Sequence, residues 1–390
     1  MELKQRIWAN CGQYLRAEQP DTPVLFCAPS VLRETAQTFI DGFGGLVTYA
    51  VKANPEPQVL ESLAAAGISA FDVASPAEMA LVRGVSPRAV LHYHNPVRSS
   101  AEIGAALRYG MASWSVDSLS ELGKLAGRVP AGSEIAVRFK LPAPGGAYDF
   151  GTKFGADEDA AATLLSEVAA LGLRPALTFH PGTQCTDAGA WARHIEAAAR
   201  IARGAGVALA RLNVGGGFPA HRGGGAPALG AIFDAIASAT RTAFGASAPA
   251  LVCEPGRALV AEGLVLAARV KAIRDGADVF LNDGIYGGLA ELPLMGPHGR
   301  ISVIAPDGAP RRGAAVPRSV FGPTCDSVDV LPGRPGLPAD MQEGDYVLFH
   351  GFGAYSAATA TRFNGYGELH RVTVLSPGLD SRDGAATVAA

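Results

Sequence analysis

Lys52 follows an apolar, β-branched run in GLVTYAVKAN (45–54), where a buried amine would lose its proton and become a nucleophile able to form a Schiff base with a carbonyl group. The alternative is a strand-end lysine that reaches solvent, as most lysines do. Three glycines, Gly215, Gly216 and Gly217, close a second apolar run, and Gly256 with Arg257 closes a third. Bare backbone N–H groups beside a guanidinium can cradle a phosphate, although each cluster alone is more often a tight turn. Glu254 stands just ahead of Gly256, and a carboxylate buried there needs a cationic partner, for which a protonated ring nitrogen would serve. Asn54, Asp72, Ser75, His92, His94, Asp117, Arg138 and His180 also close apolar runs. His92 and His94, in HYHNPVRSS (92–100), read as satisfied loop histidines, and with no third residue to suggest a metal none is expected.

These residues need a scaffold that gathers strand ends at one mouth. Eight short apolar runs begin at Gly45, Ser69, Ala89, Ser113, Glu134, Ala176, Arg211 and Ala250, each ending in polar residues or glycine. Between them lie amphipathic stretches at 57–66, 77–83, 100–109, 119–127, 157–171, 188–204 and 231–244. This alternation predicts a parallel sheet, and eight strand–helix units over about 220 residues predict an α/β fold of the (β/α)8, or TIM, barrel type over 40–264, with catalytic groups at the carboxyl ends of its strands. From Val265 onward the helical period gives way to short runs such as LVLAARVKAI, ISVIAP and HRVTVLS, which predicts a second, all-β domain from 1–39 plus 265–380. VLFCAP, from Val24, reads as a strand followed by a short helix that fits either body. RGGGAP from Arg222 and the tail from Asp380 read as loops, the tail frayed.

Composition narrows the function. The chain has 390 residues, 48% of them hydrophobic, enough for more than one ordinary domain of about 100 to 200 residues. Its net charge is −3 and no basic run exceeds Arg311 and Arg312, so nucleic acid is not an expected partner. No apolar stretch nears the roughly 18 residues that cross a bilayer and the first ten residues contain no signal-like core, so the expectation is a cytoplasmic protein off the membrane. Cys11, Cys27, Cys185, Cys253 and Cys325 are scattered singly, which fits neither a disulfide framework nor a zinc site.

Taken in order, the motifs YAVKAN (49–54), FDVAS (71–75), KFG (153–155), FHPGTQ (179–184), VGGGFP (214–219), CEPGR (253–257), NDGIYG (282–287), GPTCDSVD (322–329) and GAYSAATATRFNGY (353–366) resemble the fold-type III pyridoxal-phosphate decarboxylases, the group of ornithine, arginine and diaminopimelate decarboxylases. The resemblance spans nearly the whole chain. It implies an amino-terminal barrel, a carboxy-terminal β domain and a head-to-tail homodimer with shared active sites. It also implies that Lys52 holds pyridoxal 5'-phosphate as a Schiff base, that Glu254 pairs with the ring nitrogen and that His180 lies against the ring. Gly217, Gly256, Arg257 and Tyr355 would bind the phosphate, and Asp72 and Arg138 would lie near the cofactor and Lys52. Cys325 and Asp326 would reach in from the partner subunit, Cys325 to protonate the carbon left after CO₂ departs and Asp326 to meet the distal cation of the substrate. Tyr286, Phe363 and Asn364 would line that cleft, and Lys153 and Asp329 would pair across the dimer interface.

Asp326 favours a substrate that ends in an amine, because a distal carboxylate would set two like charges together. L-ornithine, giving putrescine in polyamine synthesis, is the expected substrate, with L-lysine second and a modified, longer or diaminopimelate-like amino acid after it. The stretch after NDG departs from the ornithine pattern: Met295 stands near the place of a second acid, which Glu291 would replace. Two rivals are an alanine racemase, against which Cys325 argues, and a non-catalytic homologue that binds proteins, against which Lys52, His180, Glu254, Arg257 and Cys325 argue together.

Overall fold

The computed structural model describes residues 7–141 and 153–378, so the tail from Asp380 lies outside the described residues. The described chain divides into two compact units, one of residues 36–219 and 227–258, the other of the remainder.

In the first unit the strands Leu46–Ala50, Ala70–Val73, Val90–Tyr93, Met111–Val116, Glu134–Arg138, Arg174–Thr178, Arg211–Asn213 and Ala250–Cys253 form a closed barrel of parallel strands, as the alternation predicts. The seam joins the last strand to the first, with Val252 opposite Leu46 and Cys253 opposite Val47. Glycine is required there, since a Cβ on Gly45 would stand 2.4 Å from the carbonyl oxygen of Leu251.

Helices begin soon after the strands because capping residues are waiting. Ser75 accepts from the N–H of Glu78 (3.3 Å), Ser118 from that of Glu121 (3.3 Å) and Asp157 from that of Ala160 (2.8 Å). Ser99 and Glu102 cap Ser100–Tyr109 reciprocally, which satisfies two otherwise unpaired N–H groups. Each helix turns an apolar stripe inward. In Ala188–Ala205 the stripe is Trp191, Ile195, Ala198, Ile201 and Ala202. Trp191 packs on Phe218 at 5.0 Å, and Phe218 in turn meets Phe39 and Phe233. Burying side chains of this size stabilises the fold by about 1.5–3 kcal/mol each. The indole N–H of Trp191 is not wasted, since it donates to Val214 O at 3.2 Å and so ties the helix to the strand end that precedes the three glycines.

The second unit is built on an eight-stranded sheet. Its long strand Leu264–Arg274 pairs antiparallel with Val24–Cys27 and with Tyr346–His350, and His370–Ser376 lies parallel to Val24–Cys27. VLFCAP therefore contributes its strand to this sheet, and the helix after it, Pro29–Gly42, runs to 14 residues, longer than expected. Alternate residues make one core face: Val24 and Phe26, Val265 and Ala267, Tyr346 and Leu348, Val372 and Val374. The helix Cys11–Glu18 covers that face with Cys11, Tyr14 and Leu15. RGGGAP forms irregular turns, as expected. No helix among the described residues is long and apolar enough to cross a membrane.

Candidate active site

At the carboxyl ends of the barrel strands lies a cavity of about 230 Å³ lined by Lys52, Asp72, His94, Arg138, His180 and Glu254, among others. A larger hollow of about 590 Å³ in the sheet unit is lined by Asp21, Arg269 and Lys271, but Arg269 already pairs with Asp21 and Lys271 lies over the Tyr366 ring. Convergent, unsatisfied polar chemistry, rather than volume, marks the barrel cavity as the candidate.

Lys52 occupies a single 3-10 turn, Val51–Ala53, directly after the strand Leu46–Ala50. Val51 and Ala53 are buried and Tyr49 closes the turn by donating to Asn54 O at 2.9 Å, so Lys52 alone turns outward. The residue is exposed, which corrects the expectation of a buried amine: the lysine stands past the strand, at the cavity. Across the seam, Ala50 N donates to Pro255 O at 3.3 Å, binding the lysine turn to the segment that carries Glu254.

Glu254 is held by a network. His94 Nδ1 and Asn213 Nδ2 both approach its Oε1 in short hydrogen bonds. Burial pushes the carboxyl up, but His94, Asn213 and Lys52 outweigh burial and hold it at about 2, so it is ionised. Asp72 goes the other way. Burial, with the negative charge of Glu254 next, pushes its carboxyl up to about 8, and its buried Oδ1 has no hydrogen-bond partner. His180 is pulled down to about 3 by burial and by Lys52 and Arg138, so its ring is neutral. Its Nδ1 accepts the N–H of Gly182 at 3.2 Å, which leaves the proton on Nε2. The Arg138 guanidinium lies 5.2 Å from the Phe154 ring centre, and Lys153 lies over the same ring at 4.9 Å.

The glycines are demanded by close approach. A Cβ on Gly217, whose φ is 82°, would stand 2.0 Å from Gly182 O, and one on Gly256 would stand 2.9 Å from the Cβ of Ala53. Arg257 opens the short helix Arg257–Val260.

In the sheet unit a second group assembles. Tyr286 donates to Asp326 Oδ2 at 2.6 Å and its ring lies 4.7 Å from that of Phe363. The exposed Cys325 donates from Sγ to Asn364 Oδ1 at 3.3 Å. Tyr355 has a φ of 56°, an uncommon backbone conformation for a side-chain-bearing residue.

Several expectations need correction. Ser75 is a helix cap and Asp117 accepts the N–H of Gly155 at 3.1 Å, so both polar groups serve the backbone. Asp329 is buried within the chain and accepts from Ile285 N, Thr324 N and Thr324 Oγ1. Glu291 is only 6% exposed, and Met295 ends the helix Leu292–Met295. His92 lies in a barrel strand and so is no loop histidine, His94 stands one residue past that strand, and both are buried and hydrogen-bonded. Asn213 is the residue that sequence reasoning missed, and for His94 it missed the tie to Glu254. The one available signal for His94 was its place at a strand end, shared with the other cavity residues.

Residues 31–261 match the family described as pyridoxal-dependent decarboxylase, pyridoxal binding domain. The chain is 33% identical to the lysine/ornithine decarboxylase of Selenomonas ruminantium over 330 residues, covering 82% of this chain and 81% of that one. It is 32% identical to ornithine decarboxylase 2 of Drosophila melanogaster over 341 residues, covering 82% of each. Among solved structures, the arginine decarboxylase of Paramecium bursaria Chlorella virus superposes with a TM-score of 0.83 at 27% identity, covering 92% of this chain and 98% of that one.

Proposed function

This chain belongs to the pyridoxal-phosphate-dependent amino-acid decarboxylases of fold type III, and from that premise we propose that it decarboxylates a basic L-amino acid, with L-ornithine first and L-lysine second. The observation that carries the reading is the convergence of Lys52 and an ionised Glu254 on one cavity.

The residues present fit the cofactor. The partnerless buried Oδ1 of Asp72 is a polar atom facing a site that needs something more, and the glycines at 217 and 256 leave backbone bare where any side chain would collide. When bound, pyridoxal phosphate supplies the conjugated acceptor for the electron pair left at Cα as CO₂ departs. In this reading Lys52 would hold the cofactor through its side-chain amine. Glu254 keeps a proton on the ring nitrogen, a task open to an ionised carboxylate and closed to a neutral one. His180, neutral, bears on the ring without adding a competing positive charge. Gly217, Gly256, Arg257 and Tyr355 take the phosphate, and Arg138 and Asp72 set the charge around Lys52.

Cys325 delivers the proton that replaces CO₂, and its exposure on one copy suits a donor that completes the site of another in a homodimer. Asp326 meets the distal cation of the substrate. Hydrogen bonds from the Tyr286 hydroxyl and the Val328 N–H hold its carboxyl below the usual range, so it is charged throughout the neutral region. The relatives are named for lysine, ornithine and arginine, all with a cationic end, which supports this acid–cation match. A second reading, lysine or a longer or modified amino acid, is favoured by Met295 near the place of a second acid and by the burial of Glu291.

The test is CO₂ release from ornithine, lysine, arginine, diaminopimelate and longer or carboxylated analogues, with optical rotation followed in parallel. Ornithine should lead. A preference for diaminopimelate would overturn the role of Asp326, and racemisation without CO₂ would overturn the reaction.

A further inference from the structure

Glu254 sits at the head of a hydrogen-bonded chain that crosses the floor of the barrel. Asn213 Oδ1 accepts the N–H of Gly215 at 2.9 Å, which turns its NH₂ group toward the Glu254 carboxylate. At the same oxygen, with its Nδ1 3.0 Å from Asn213 Nδ2, His94 presents Nδ1 to Oε1 and places Nε2 2.7 Å from Ser113 Oγ. The same hydroxyl lies 2.7 Å from His92 Nδ1. Register explains the meeting, because His92 and Ser113 are paired neighbours on adjacent strands, so the serine lies within reach of both imidazoles. The chain is dry: His94 is 9% exposed, and Asn213, Ser113 and His92 are less so.

We propose that His94 is a positioning residue for Glu254: it clamps one carboxylate oxygen, keeps the group ionised, and leaves the other oxygen to the ring nitrogen of the cofactor. The inference rests on the role given to Glu254 above.

Proton bookkeeping favours such a clamp. One hydroxyl proton serves two imidazoles. With His94 charged, Nε2–H donates to Ser113 Oγ and the serine O–H donates to His92 Nδ1. With His94 neutral the direction reverses: His92 takes the tautomer with a proton on Nδ1 and donates to the serine, which donates to His94 Nε2. In both arrangements Nδ1–H of His94 still points at Glu254. The hydroxyl lets the clamp survive a change of charge.

The surroundings set the balance. Besides Glu254, His94 faces Asp72, Glu134 and His92. Burial pulls the His94 ring down, but Glu254 and then Asp72 outweigh it and leave it above its ordinary value. Glu254 itself faces Asp72, Lys52, Arg138 and His180. Without His94, burial would act on Glu254 with less opposition, and a carboxyl that takes up a proton can no longer hold one on the ring nitrogen. Arg98 braces the segment that carries His94: its guanidinium packs on both the Tyr93 and Trp114 rings, 5.1 and 5.7 Å from their centres, and donates to the carbonyls of Tyr93, Pro96 and Ser115.

Two substitutions separate hydrogen bond from charge. His94→Asn keeps an N–H donor and removes the charge, and His94→Leu removes both. Two measurements are made on each, with wild type alongside: infrared difference spectra of the apoprotein on acidification, in which Glu254→Gln assigns the Glu254 carboxyl band, and the dissociation constant for pyridoxal phosphate from about pH 8 down to the lowest pH at which each protein stays folded. In His94→Leu the Glu254 band should emerge at least about one pH unit higher than in wild type, and the ratio of its dissociation constant to that of wild type should grow by about tenfold per pH unit below that point, with His94→Asn between. A band at the same pH in all three proteins, with a ratio independent of pH, overturns the proposal. Should His94→Leu fail to fold, an Asn variant with an unmoved band overturns it equally. If wild type binds no pyridoxal phosphate, the cofactor reading of Glu254 fails while the infrared comparison still decides whether His94 holds the carboxylate ionised.

Discussion

The hydroxyl of Tyr286 donates to Oδ2 of Asp326 across 2.6 Å, and these two residues are 40 positions apart in the chain. The bond lowers the Asp326 carboxyl and fixes its direction. Tyr286→Phe should let that carboxyl rise toward its ordinary value. At neutral pH it stays charged, so the loss is one of aim: KM for a diamino acid should rise by about threefold to tenfold with kcat little changed. Below about pH 5 the defect should widen as the acid takes its proton. Steady-state kinetics at pH 5 and pH 7.5 check both parts, and an effect confined to kcat would remove Asp326 from substrate binding.

Lys52 and Cys325 lie in different compact units, and the proposed dimer makes a distinctive demand of them. Lys52→Ala should abolish the adduct trapped by borohydride, while Cys325→Ala should retain the adduct and slow turnover or divert protonation. Mixing the two inactive proteins should restore part of the activity, about a quarter of wild type when hybrids form at random, because one site in each hybrid is intact. Subunit exchange proven by mass without recovered activity would mean that each chain completes its own site.

Gly217→Ala sets a Cβ about 2 Å from a backbone carbonyl oxygen at a φ of 82°, and neither can yield easily. Folding should lose at least about 2 kcal/mol, and affinity for pyridoxal phosphate should fall more than tenfold. Denaturant melts of the apoprotein and cofactor titration measure the two effects separately.

The raised carboxyl of Asp72 ties stability to pH. Because its folded value of about 8 lies above its unfolded value, the folded apoprotein binds the proton more tightly, so the contribution is complete below the unfolded value and is lost as pH climbs through about 8. Between pH 6 and 8.5 the apoprotein should therefore weaken by up to about 1.4 kcal/mol per pH unit, and Asp72→Asn should flatten that slope. Thermal melts at stepped pH test this, and parallel curves for the two proteins would contradict it.

Much of this was legible in the sequence, for identifiable reasons. A barrel strand buried on both sides reads as an unbroken apolar run, and its end reads as the first polar residue, so the eight strands and the positions of Lys52, Asp72, Arg138, His180 and Glu254 follow from pattern alone. Pattern does not report on pairing. His94 and Glu254 stand 160 residues apart, and nothing local to either betrays their contact. Burial near a strand end proved equally hard to read: Lys52 stands two residues past its strand and turns outward.

The seam of the barrel governs when the site can exist. Lys52 follows the first barrel strand to be synthesised and Glu254 the last barrel strand, and they become neighbours only when Cys253 pairs with Val47. A nascent or truncated chain lacking the strand Ala250–Cys253 would carry the lysine with no counter-ion for the ring. The vitamin would then discriminate between finished and unfinished barrels, and, by binding only the former, would draw the folding equilibrium toward closure.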